Sequence, residues 1–294
     1  TPSISSAASD VYKRQDVVGL RGKGFLSLLL APWRLCKSLL QSIKVVYRFK
    51  PHCVLGMGGF VTGPGGLATK LLGVPLILHE QNAIPGLTNR LLRPFAKRTL
   101  QAFSGSFSDG KAITVGNPLR SNITPNKSEH DGLQVLILGG SLGAVALNQR
   151  VPAAMALLAA NKRPQIWHQT GPKHHQETQA GYDKAGVVAK VEAYIDDMGL
   201  AYAWADLVVC RSGALTVSEL AGAGVASILV PYPHAVDDHQ TANAAVLVGA
   251  GAAILLPQTQ LSSDTLSENI RALQSHPITL STMATAALTY AAPK

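Results

Sequence analysis

The stretch Cys210-Arg-Ser-Gly-Ala-Leu-Thr-Val-Ser-Glu219 decides how this chain is interpreted. Leu207–Cys210 predicts a short buried strand, residues 211–213 a turn, and residues 214–222 a helix. The first amides of a helix have no partner within it, and the helix dipole adds partial positive charge, so this turn predicts an anion site. Glu219 lies just over one turn into the helix, and because helical side chains lean toward the N-terminus, its carboxylate can reach a group beside the anion. A ligand with a phosphate bound by the helix amides and a diol bound by the carboxylate would be a nucleotide. The alternative interpretation is an ordinary strand-to-helix turn with a solvated Glu.

The composition indicates an α/β enzyme. The 294 residues allow two domains, and 47% hydrophobic with 15% charged residues excludes a disordered chain. A net charge of +9 suits nucleic acid, an anionic membrane or a phosphorylated substrate. We find no arginine-rich run, no basic strand with interleaved aromatics and no zinc module in the sequence, so we expect no nucleic-acid partner. Cys36, Cys53 and Cys210 have neither metal nor redox spacing, which predicts a reducing compartment and buried, unreactive thiols.

Strand and helix patterns alternate along the chain, which predicts parallel sheets covered by helices on both faces. We expect a disordered or foreign segment at 1–15, a partial N-terminal domain at 16–123, a linker at 124–132 and a C-terminal domain at 133–294. The C-terminal domain has six strand patterns, enough for a complete doubly wound unit, whereas the N-terminal domain shows only the later part of one. Residues 284–294 predict an unfinished helix, so the chain reads as a fragment cut at both ends.

Three loops of the N-terminal region follow predicted strands, and such loops share one rim of a parallel sheet. They are Gly58-Gly59 within a glycine-rich loop at 56–66, His79–Asn82, and Gly116–Arg120. The helix after the glycine-rich loop is predicted at 67–72.

Gly139-Gly-Ser-Leu-Gly143 is a second turn between a strand and a helix, as in phosphate-binding loops. It does not have the G-x-G-x-x-G spacing, and Asn161-Lys-Arg163 stands where a ribose-binding acid would be expected, so a dinucleotide dehydrogenase is disfavoured. Together with the stretch at 210–219, it predicts two anion-binding helix starts on one rim.

A helix predicted from Pro32 carries a basic stripe beside an apolar face of Trp33, Cys36, Leu40, Ile43 and Tyr47. The stripe consists of Arg34, Lys37, Gln41, Lys44 and Arg48. One interpretation is a solvated surface helix. The other is contact with anionic lipid, with Phe25, Leu28, Leu29 and Trp33 entering the interface. No uncharged apolar run in the sequence reaches membrane-spanning length.

The chain resembles the MurG family of bacterial N-acetylglucosaminyltransferases over nearly all residues after Gly19. The motifs that carry the resemblance are Gly19–Gly24, Gly56–Gly66, His79–Asn82, Gly116–Arg120, Gly139–Ser141, Trp167–Gln169, Tyr194–Met198, Cys210–Glu219 and His234–Asn243. The resemblance implies a GT-B fold, in which two Rossmann-like doubly wound domains face each other across a cleft, here with an incomplete N-terminal domain. The C-terminal domain would hold UDP-N-acetylglucosamine, and the N-terminal domain would face the acceptor and the membrane.

The resemblance also implies the donor contacts, without any cofactor or metal. They are Asn82, Arg120, Ser141, Ile195, Ala214, Leu215, Thr216, Val217, Ser218, Glu219 and Gln240. Ser141 and the amides near Leu215 and Thr216 would hold the diphosphate, and Glu219 the ribose. Ile195 would hold the uracil through its backbone, and Gln240 the sugar hydroxyls.

The activity implied is inverting transfer of N-acetylglucosamine to the C4 hydroxyl of the muramyl sugar of lipid I, which forms lipid II on the cytoplasmic face of the bacterial inner membrane. The family's base is a His in an N-terminal glycine-rich loop that we do not find in this sequence. His79 and Glu80 are the nearest other candidates, although a positioning or structural role is favoured for both. The acceptor is a membrane lipid, which favours a membrane-contacting surface of Phe25, Trp33, Arg34, Lys37, Lys44 and Arg48 over a merely solvated face. The alternatives are a fragment that binds UDP-sugar without turnover and another GT-B enzyme such as a UDP-N-acetylglucosamine 2-epimerase.

Overall fold

The computed structural model describes residues 31–125, 130–140 and 142–291. The predicted segment at 1–15, the predicted membrane residue Phe25 and the predicted phosphate ligand Ser141 lie outside the described residues. Internal contacts divide the chain into two units. The first comprises the chain up to Glu80 with Pro85–Leu100 and Lys111–Ile113, and the second comprises Gln81–Ile84, Gln101–Gly110 and the chain from Thr114. The linker at 124–132 stays a prediction.

A four-stranded sheet lies in the N-terminal half, with the strand order β1-β2-β3-β4. Its strands are β1 (Val54–Gly56), β2 (Leu76–Glu80), β3 (Arg98–Gln101) and β4 (Ile113–Thr114), and its helices are α1 (Ala31–Phe49), α2 (Gly59–Leu71) and α3 (Leu87–Leu92). β1 and β2 are parallel, with Val54 beside Leu76, as predicted.

The glycine-rich segment is helical, so the prediction of a loop to residue 66 is wrong. Helix α2 begins at Gly59 rather than near residue 67. A Cβ on Gly66 would lie 2.5 Å from Leu92 Cδ1 and 3.2 Å from Leu76 Cδ2, so this glycine lets the helix pack closely against β2 and α3. Tertiary packing explains the glycines better than loop flexibility does, and it overrides their low helix propensity.

Helix α1 turns an unexpected side toward the protein. Ser38, Ser42 and Val46 are its buried residues, and Ser42 Oγ donates to the Ser38 carbonyl at 2.8 Å. The predicted apolar face points outward instead, because Trp33, Leu40 and Tyr47 are 73, 67 and 68% exposed. Small hydroxyl side chains permit close contact with α2.

The second unit is a six-stranded parallel sheet with the order β10-β9-β8-β5-β6-β7, which confirms the predicted doubly wound arrangement. Its strands are β5 (Gln134–Leu138), β6 (Gln165–Gln169), β7 (Lys190–Glu192), β8 (Leu207–Cys210), β9 (Ala226–Leu229) and β10 (Ala253–Leu255). Its helices are α4 (Val145–Ala156), α5 (His175–Ala185), α6 (Met198–Trp204), α7 (Ala214–Ala223), α8 (His239–Gly249), α9 (Ser263–Ser275) and α10 (Pro277–Leu288). The last helix ends at Leu288, so the helix predicted over residues 284–294 starts earlier and stops earlier than expected.

Apolar side chains on both faces hold this sheet between two helical layers. Val135 and Ile137 of β5 belong to one core layer, and Leu136 and Leu138 belong to the other. Every residue of β5 is buried. This explains the continuous apolar sequence, because a parallel strand covered on both faces needs no polar alternation.

A buried polar cluster fastens β6 to its neighbouring helices. Asn148 Nδ2 donates to the Thr170 carbonyl at 3.0 Å, so its Oδ1 accepts from His168 Nε2 at 3.1 Å. His168 Nδ1 then accepts from the Tyr182 hydroxyl at 2.9 Å. Burial lowers the pKa of His168 to about 3, so the ring is neutral at physiological pH. The cluster fixes the segment that follows β6.

The cysteine prediction holds only for Cys210. Cys36 and Cys53 are exposed, because the first lies on the outward side of α1 and the second in the connection before β1. Burial raises the pKa of Cys210 to about 12, which keeps this thiol protonated. Among the helices described, none combines the length and apolarity needed to cross a membrane.

Candidate functional site

A cleft of about 180 Å³ lies at the carboxyl ends of β5, β6 and β8. Leu138 at the end of β5 pairs with Gln169 of β6 on one side and with Cys210 of β8 on the other. The chain order reverses between β5 and β8, and ligands bind at such switch points in open α/β sheets. The cleft is lined by Arg120, Leu138, Gly140, Gln169, Tyr194, Ile195, Met198, Tyr202, Arg211, Thr216 and Glu219.

The glycine turn after β5 packs backbone against backbone. Gly143 has φ +82°, and a Cβ on it would overlap the Thr170 carbonyl oxygen. Gly171 has φ +81°, and a Cβ there would lie 2.6 Å from the Gly143 nitrogen. The two turns can touch only because both residues lack a side chain. The Asn148–His168 cluster described above holds the Thr170 side of this contact.

The start of α7 is the element in which the sequence predicts an anion site. Gly213 is the N-cap residue and no side chain caps the helix. The Val217 amide donates to the Gly213 carbonyl at 2.9 Å, and the Val217 side chain is fully buried in the core. The amides of Leu215 and Thr216 precede it in the first turn, and Thr216 lines the cleft. The predicted contacts by Leu215, Thr216 and Val217 stay predictions; the Val217 side chain is buried in the core and its amide is bonded to the Gly213 carbonyl.

Glu219 lies in the cleft with a tyrosine behind it. The Tyr202 hydroxyl donates to Glu219 Oε2 at 3.0 Å. Burial raises the pKa of Glu219, while the hydrogen bond from Tyr202 and the positive charge of Arg120 oppose the rise. A partly desolvated carboxylate beside a helix N-terminus can accept hydrogen bonds from a diol, as predicted from the sequence.

Arg120 reaches the cleft from a segment that is tied to α6. Asn122 Nδ2 donates to Asp197 Oδ1 at 2.8 Å, and the same oxygen caps α6 by accepting from the Leu200 amide at 3.0 Å. The Arg120 carbonyl accepts from the Ile123 amide at 3.1 Å, and Ile123 is buried. These contacts hold an exposed guanidinium near Glu219 and the start of α7.

Arg211 also lines the cleft and was not predicted as a site residue. Its Nη1 donates to the carbonyls of Val230 and Pro231 at 3.1 Å each, and its Nη2 donates to the Gln258 side chain. Desolvation lowers the pKa of Arg211, although the group stays charged at neutral pH. The residue connects the turn before α7 to the segment after β9.

Ile195 lies in the cleft but its amide is already used. The Ile195 nitrogen donates to Gln169 Oε1 at 3.2 Å, and the Ile195 side chain is 3% exposed. Gln169 was not predicted as a site residue. It ends β6, and it could have been identified because ligands bind at the carboxyl ends of parallel strands.

Asn82 and Gln240 are predicted donor contacts that do not line this cleft. Asn82 Oδ1 accepts from Asn243 Nδ2 at 3.2 Å, and the Asn82 carbonyl accepts from Ser106 Oγ at 2.9 Å. Gln240 Oε1 accepts from the Tyr232 amide at 2.9 Å. The roles of both residues in donor binding stay predictions.

Asn117, which was also not predicted, holds the predicted residues Ala214 and Ser218 from the outer side of α7. Its Nδ2 donates to Ser218 Oγ at 2.9 Å, to the Ala214 carbonyl at 3.5 Å and to the Gln81 carbonyl at 3.1 Å. Asn117 belongs to the Gly116–Arg120 motif, so this motif supports the start of α7 as well as presenting Arg120.

The candidate bases His79 and Glu80 end strand β2 in the first unit, and both are buried. Glu80 Oε2 accepts from the Gly86 amide at 3.0 Å and from Asn89 Nδ2 at 2.8 Å, which gives Glu80 a structural role in the connection to α3. Within the ranges that the structure describes, no group of three His, Cys, Asp or Glu side chains is placed to hold a metal ion.

The comparisons with known proteins identify the family of the chain. Residues 8–101 match the glycosyltransferase family 28 N-terminal domain, and residues 134–294 match the glycosyltransferase family 28 C-terminal domain. A relative from Azotobacter vinelandii is 50% identical over 295 residues, covering 99% of this chain and 83% of its own length. A relative from Chromohalobacter salexigens is 53% identical over 289 residues, covering 96% of this chain and 79% of its own. Both are named UDP-N-acetylglucosamine–N-acetylmuramyl-(pentapeptide) pyrophosphoryl-undecaprenol N-acetylglucosamine transferase.

The solved structures give the same result. The crystal structure of Acinetobacter baumannii MurG matches with a TM-score of 0.82 and 38% identity, covering 96% of this chain and 81% of that one. A UDP-N-acetylglucosamine 2-epimerase matches with a TM-score of 0.58 at 12% identity, covering 86% and 71%, which shows a shared fold alone. The chain therefore belongs to glycosyltransferase family 28, as a member of the MurG family, and has the two-domain α/β fold of the GT-B class.

Proposed function

We propose that the chain moves N-acetylglucosamine from UDP-N-acetylglucosamine to the C4 hydroxyl of the muramyl sugar of lipid I, an undecaprenyl-pyrophosphoryl-muramyl-pentapeptide, and so forms lipid II for peptidoglycan synthesis. The names of the relatives support the donor and the acceptor. The observation that carries the proposal is the cleft in which Glu219, Arg120 and the start of α7 meet.

The donor occupies this cleft with its diphosphate at the first amides of α7 and its ribose at Glu219. Helix N-termini bind phosphate because their amides are unpaired and the dipole is favourable. Tyr194 and Ile195 line the part of the cleft nearest the segment after β7, which suits the uracil. Because the Ile195 amide is engaged with Gln169, we assign the uracil contact to the Ile195 carbonyl.

The reaction is a single displacement that inverts the anomeric carbon. The acceptor oxygen forms a bond to C1 of the sugar while the bond from C1 to the UDP oxygen breaks, and the hydroxyl proton passes to a base. The developing negative charge on the diphosphate is stabilised by the amides of α7 and by Arg120. The base is not assigned to either candidate, because His79 and Glu80 are both buried and Glu80 is hydrogen-bonded to Gly86 and Asn89.

The decisive experiment mixes the chain with UDP-N-acetylglucosamine and a short-chain analogue of lipid I, and separates the products by chromatography. We expect UDP and an acceptor extended by one N-acetylglucosamine in equal amounts. Binding of the donor without transfer would instead support a binding-only chain. Conversion of the donor to its 2-epimer, without any acceptor product, would support an epimerase.

The outward side of α1 forms the proposed membrane surface. Trp33, Leu40 and Tyr47 are exposed and alternate with Lys37 and Lys44 along one stripe of this helix. Arg48, the penultimate residue of the helix, is exposed on the same side. Aromatic and apolar side chains mixed with lysines on one stripe suit the interface of an anionic leaflet. We therefore place the protein peripherally on the cytoplasmic face of the inner membrane, where lipid I would be its acceptor.

Removing the basic residues tests this surface. Each Lys or Arg near an anionic leaflet contributes about 1 kcal/mol, so Arg34→Gln, Lys37→Gln, Lys44→Gln and Arg48→Gln together are expected to weaken binding to phosphatidylglycerol vesicles at least about 100-fold at low salt. Vesicle sedimentation measures the effect. The matched control replaces the exposed Lys162, Lys173, Lys184 and Arg271 of the second unit by Gln, which removes the same charge elsewhere. If the two variants lose the same vesicle affinity, binding depends only on the net charge of the protein, and α1 is not the membrane-contacting surface.

A further inference from the structure

We propose that Tyr202 is a positioning residue for the donor: its buried hydroxyl holds one oxygen of Glu219 so that the carboxylate faces the two ribose hydroxyls, which makes the cleft selective for a ribonucleotide. The inference rests on the proposed function, because it concerns the same donor cleft. Tyr202 does not touch the transferred sugar, and its effect on the donor passes through Glu219.

Tyr202 is buried except at its hydroxyl, which contacts Glu219. Its side chain is 1% exposed within the core layer of the second unit, and only its hydroxyl edge reaches the cleft. The hydroxyl donates to Glu219 Oε2 at 3.0 Å. Among the described residues, this is the one hydrogen bond that the Glu219 carboxylate receives. The acceptor positions of Oε1, and the second one on Oε2, can therefore serve a ligand.

A buried tyrosine is a suitable group to hold a carboxylate in place. The Tyr202 ring cannot rotate away without disturbing the packed core, so its hydroxyl is a fixed donor. Glu219 has several rotatable bonds and is only partly buried on α7. Without the tyrosine, the carboxylate would lose orientation, and ribose binding would have to restrict it again.

The charge of Glu219 depends on the same contact. The groups that face it are the Tyr202 hydroxyl from α6, Arg120 from the segment before α6, and the Cys210 thiol from β8. Burial raises the pKa of Glu219, and the hydrogen bond from Tyr202 counters that rise. Loss of the hydroxyl should therefore raise the pKa further, so that the carboxylate is protonated at a higher pH and accepts ribose hydroxyls less well.

The test compares UDP with 2′,3′-dideoxyuridine diphosphate, which lacks both ribose hydroxyls. We expect Tyr202→Phe to weaken UDP binding about tenfold and to weaken binding of the dideoxy analogue less than twofold, measured by calorimetry at pH 7.5. On acidification, the UDP affinity of the variant should begin to fall at a higher pH than that of the original chain. Equal weakening of both ligands would mean that Tyr202 only supports the fold of the cleft, and would overturn the inference.

Two further variants complete the design. Tyr182→Phe removes the hydroxyl of another buried tyrosine in the same unit, and should leave the ratio of the two affinities unchanged. Adding Tyr202→Phe to Glu219→Ala should cost no further UDP affinity, and because both polar partners are then absent, this double variant remains testable even if the single variant does not fold. If the original chain does not bind UDP at all, the donor assignment fails. If it binds UDP but Tyr202→Phe binds it equally well, the inference about Tyr202 alone fails.

Discussion

Replacing Gly143 by alanine is expected to lower the free energy of unfolding by about 3 kcal/mol. The residue has φ +82°, and its new Cβ would overlap the Thr170 carbonyl oxygen, which is backbone and cannot rotate away. The Asn148–His168 cluster holds Thr170 from the other side, so the two turns would have to separate. Chemical denaturation in urea measures the change.

The control for Gly143→Ala is Gly251→Ala in the same unit. Gly251 has φ +73°, but a Cβ there would meet no atom within 4 Å. Gly251→Ala should lower the free energy of unfolding by about 1 kcal/mol, because alanine is less stable than glycine in the left-handed conformation. The difference between the two variants isolates the overlap with Thr170. If both variants lose the same free energy of unfolding, a Cβ at position 143 does not overlap the Thr170 carbonyl oxygen, and the two turns are not in close contact.

The second unit could be predicted closely from the sequence, because most of its strands are rich in apolar residues and are separated by glycine turns and helices. Strand–helix alternation predicts a parallel doubly wound sheet, and the structure supplies the strand order β10-β9-β8-β5-β6-β7. Glu219 and the start of α7 could also be predicted, since both follow from local spacing along one turn and one helix.

Tyr202 could not be identified from the sequence alone, because nothing in its local pattern distinguishes it from a core aromatic residue. It lies 17 residues before its partner Glu219, and only the packing of α6 beside α7 brings them together. Helix α2 was predicted too short for a related reason. Six of its first eight residues, Gly59 to Gly66, are glycine, proline or threonine, and the packing of Gly66 against Leu92 outweighs their local preference for a loop.

Helix α1 shows a third limit of sequence patterns. Hydrophobic periodicity correctly identified a helix with a basic stripe beside an apolar face, but it left open which side of the helix contacts the protein. Ser38 and Ser42 take the buried positions, and Ser42 satisfies its hydroxyl within the helix. A periodic pattern therefore locates an amphipathic helix but does not say whether its apolar side meets the protein or another surface.

Replacing Glu219 by alanine is expected to weaken the binding of UDP and of UDP-N-acetylglucosamine about 100-fold, which corresponds to about 2.7 kcal/mol. The change removes a charged acceptor from the ribose hydroxyls, and it leaves the Tyr202 hydroxyl without its partner in the cleft. Calorimetric titration measures both affinities. The dideoxy analogue should be affected far less, because it lacks the hydroxyls that Glu219 accepts.

The control for Glu219→Ala is Glu268→Ala, which removes the same charge from an exposed position on α9. It should change donor affinity less than twofold, since Glu268 is exposed to solvent and does not line the cleft. The pH dependence adds an independent check. Burial raises the pKa of Glu219, so the affinity of the original chain for UDP-N-acetylglucosamine, whose doubly esterified diphosphate does not titrate in this range, should fall as the pH decreases through that raised pKa, whereas the affinity of Glu219→Ala should stay level. If Glu219→Ala has an unchanged unfolding transition and its donor affinity falls less than threefold, then Glu219 does not bind the ribose. The donor would have to bind elsewhere in the second unit.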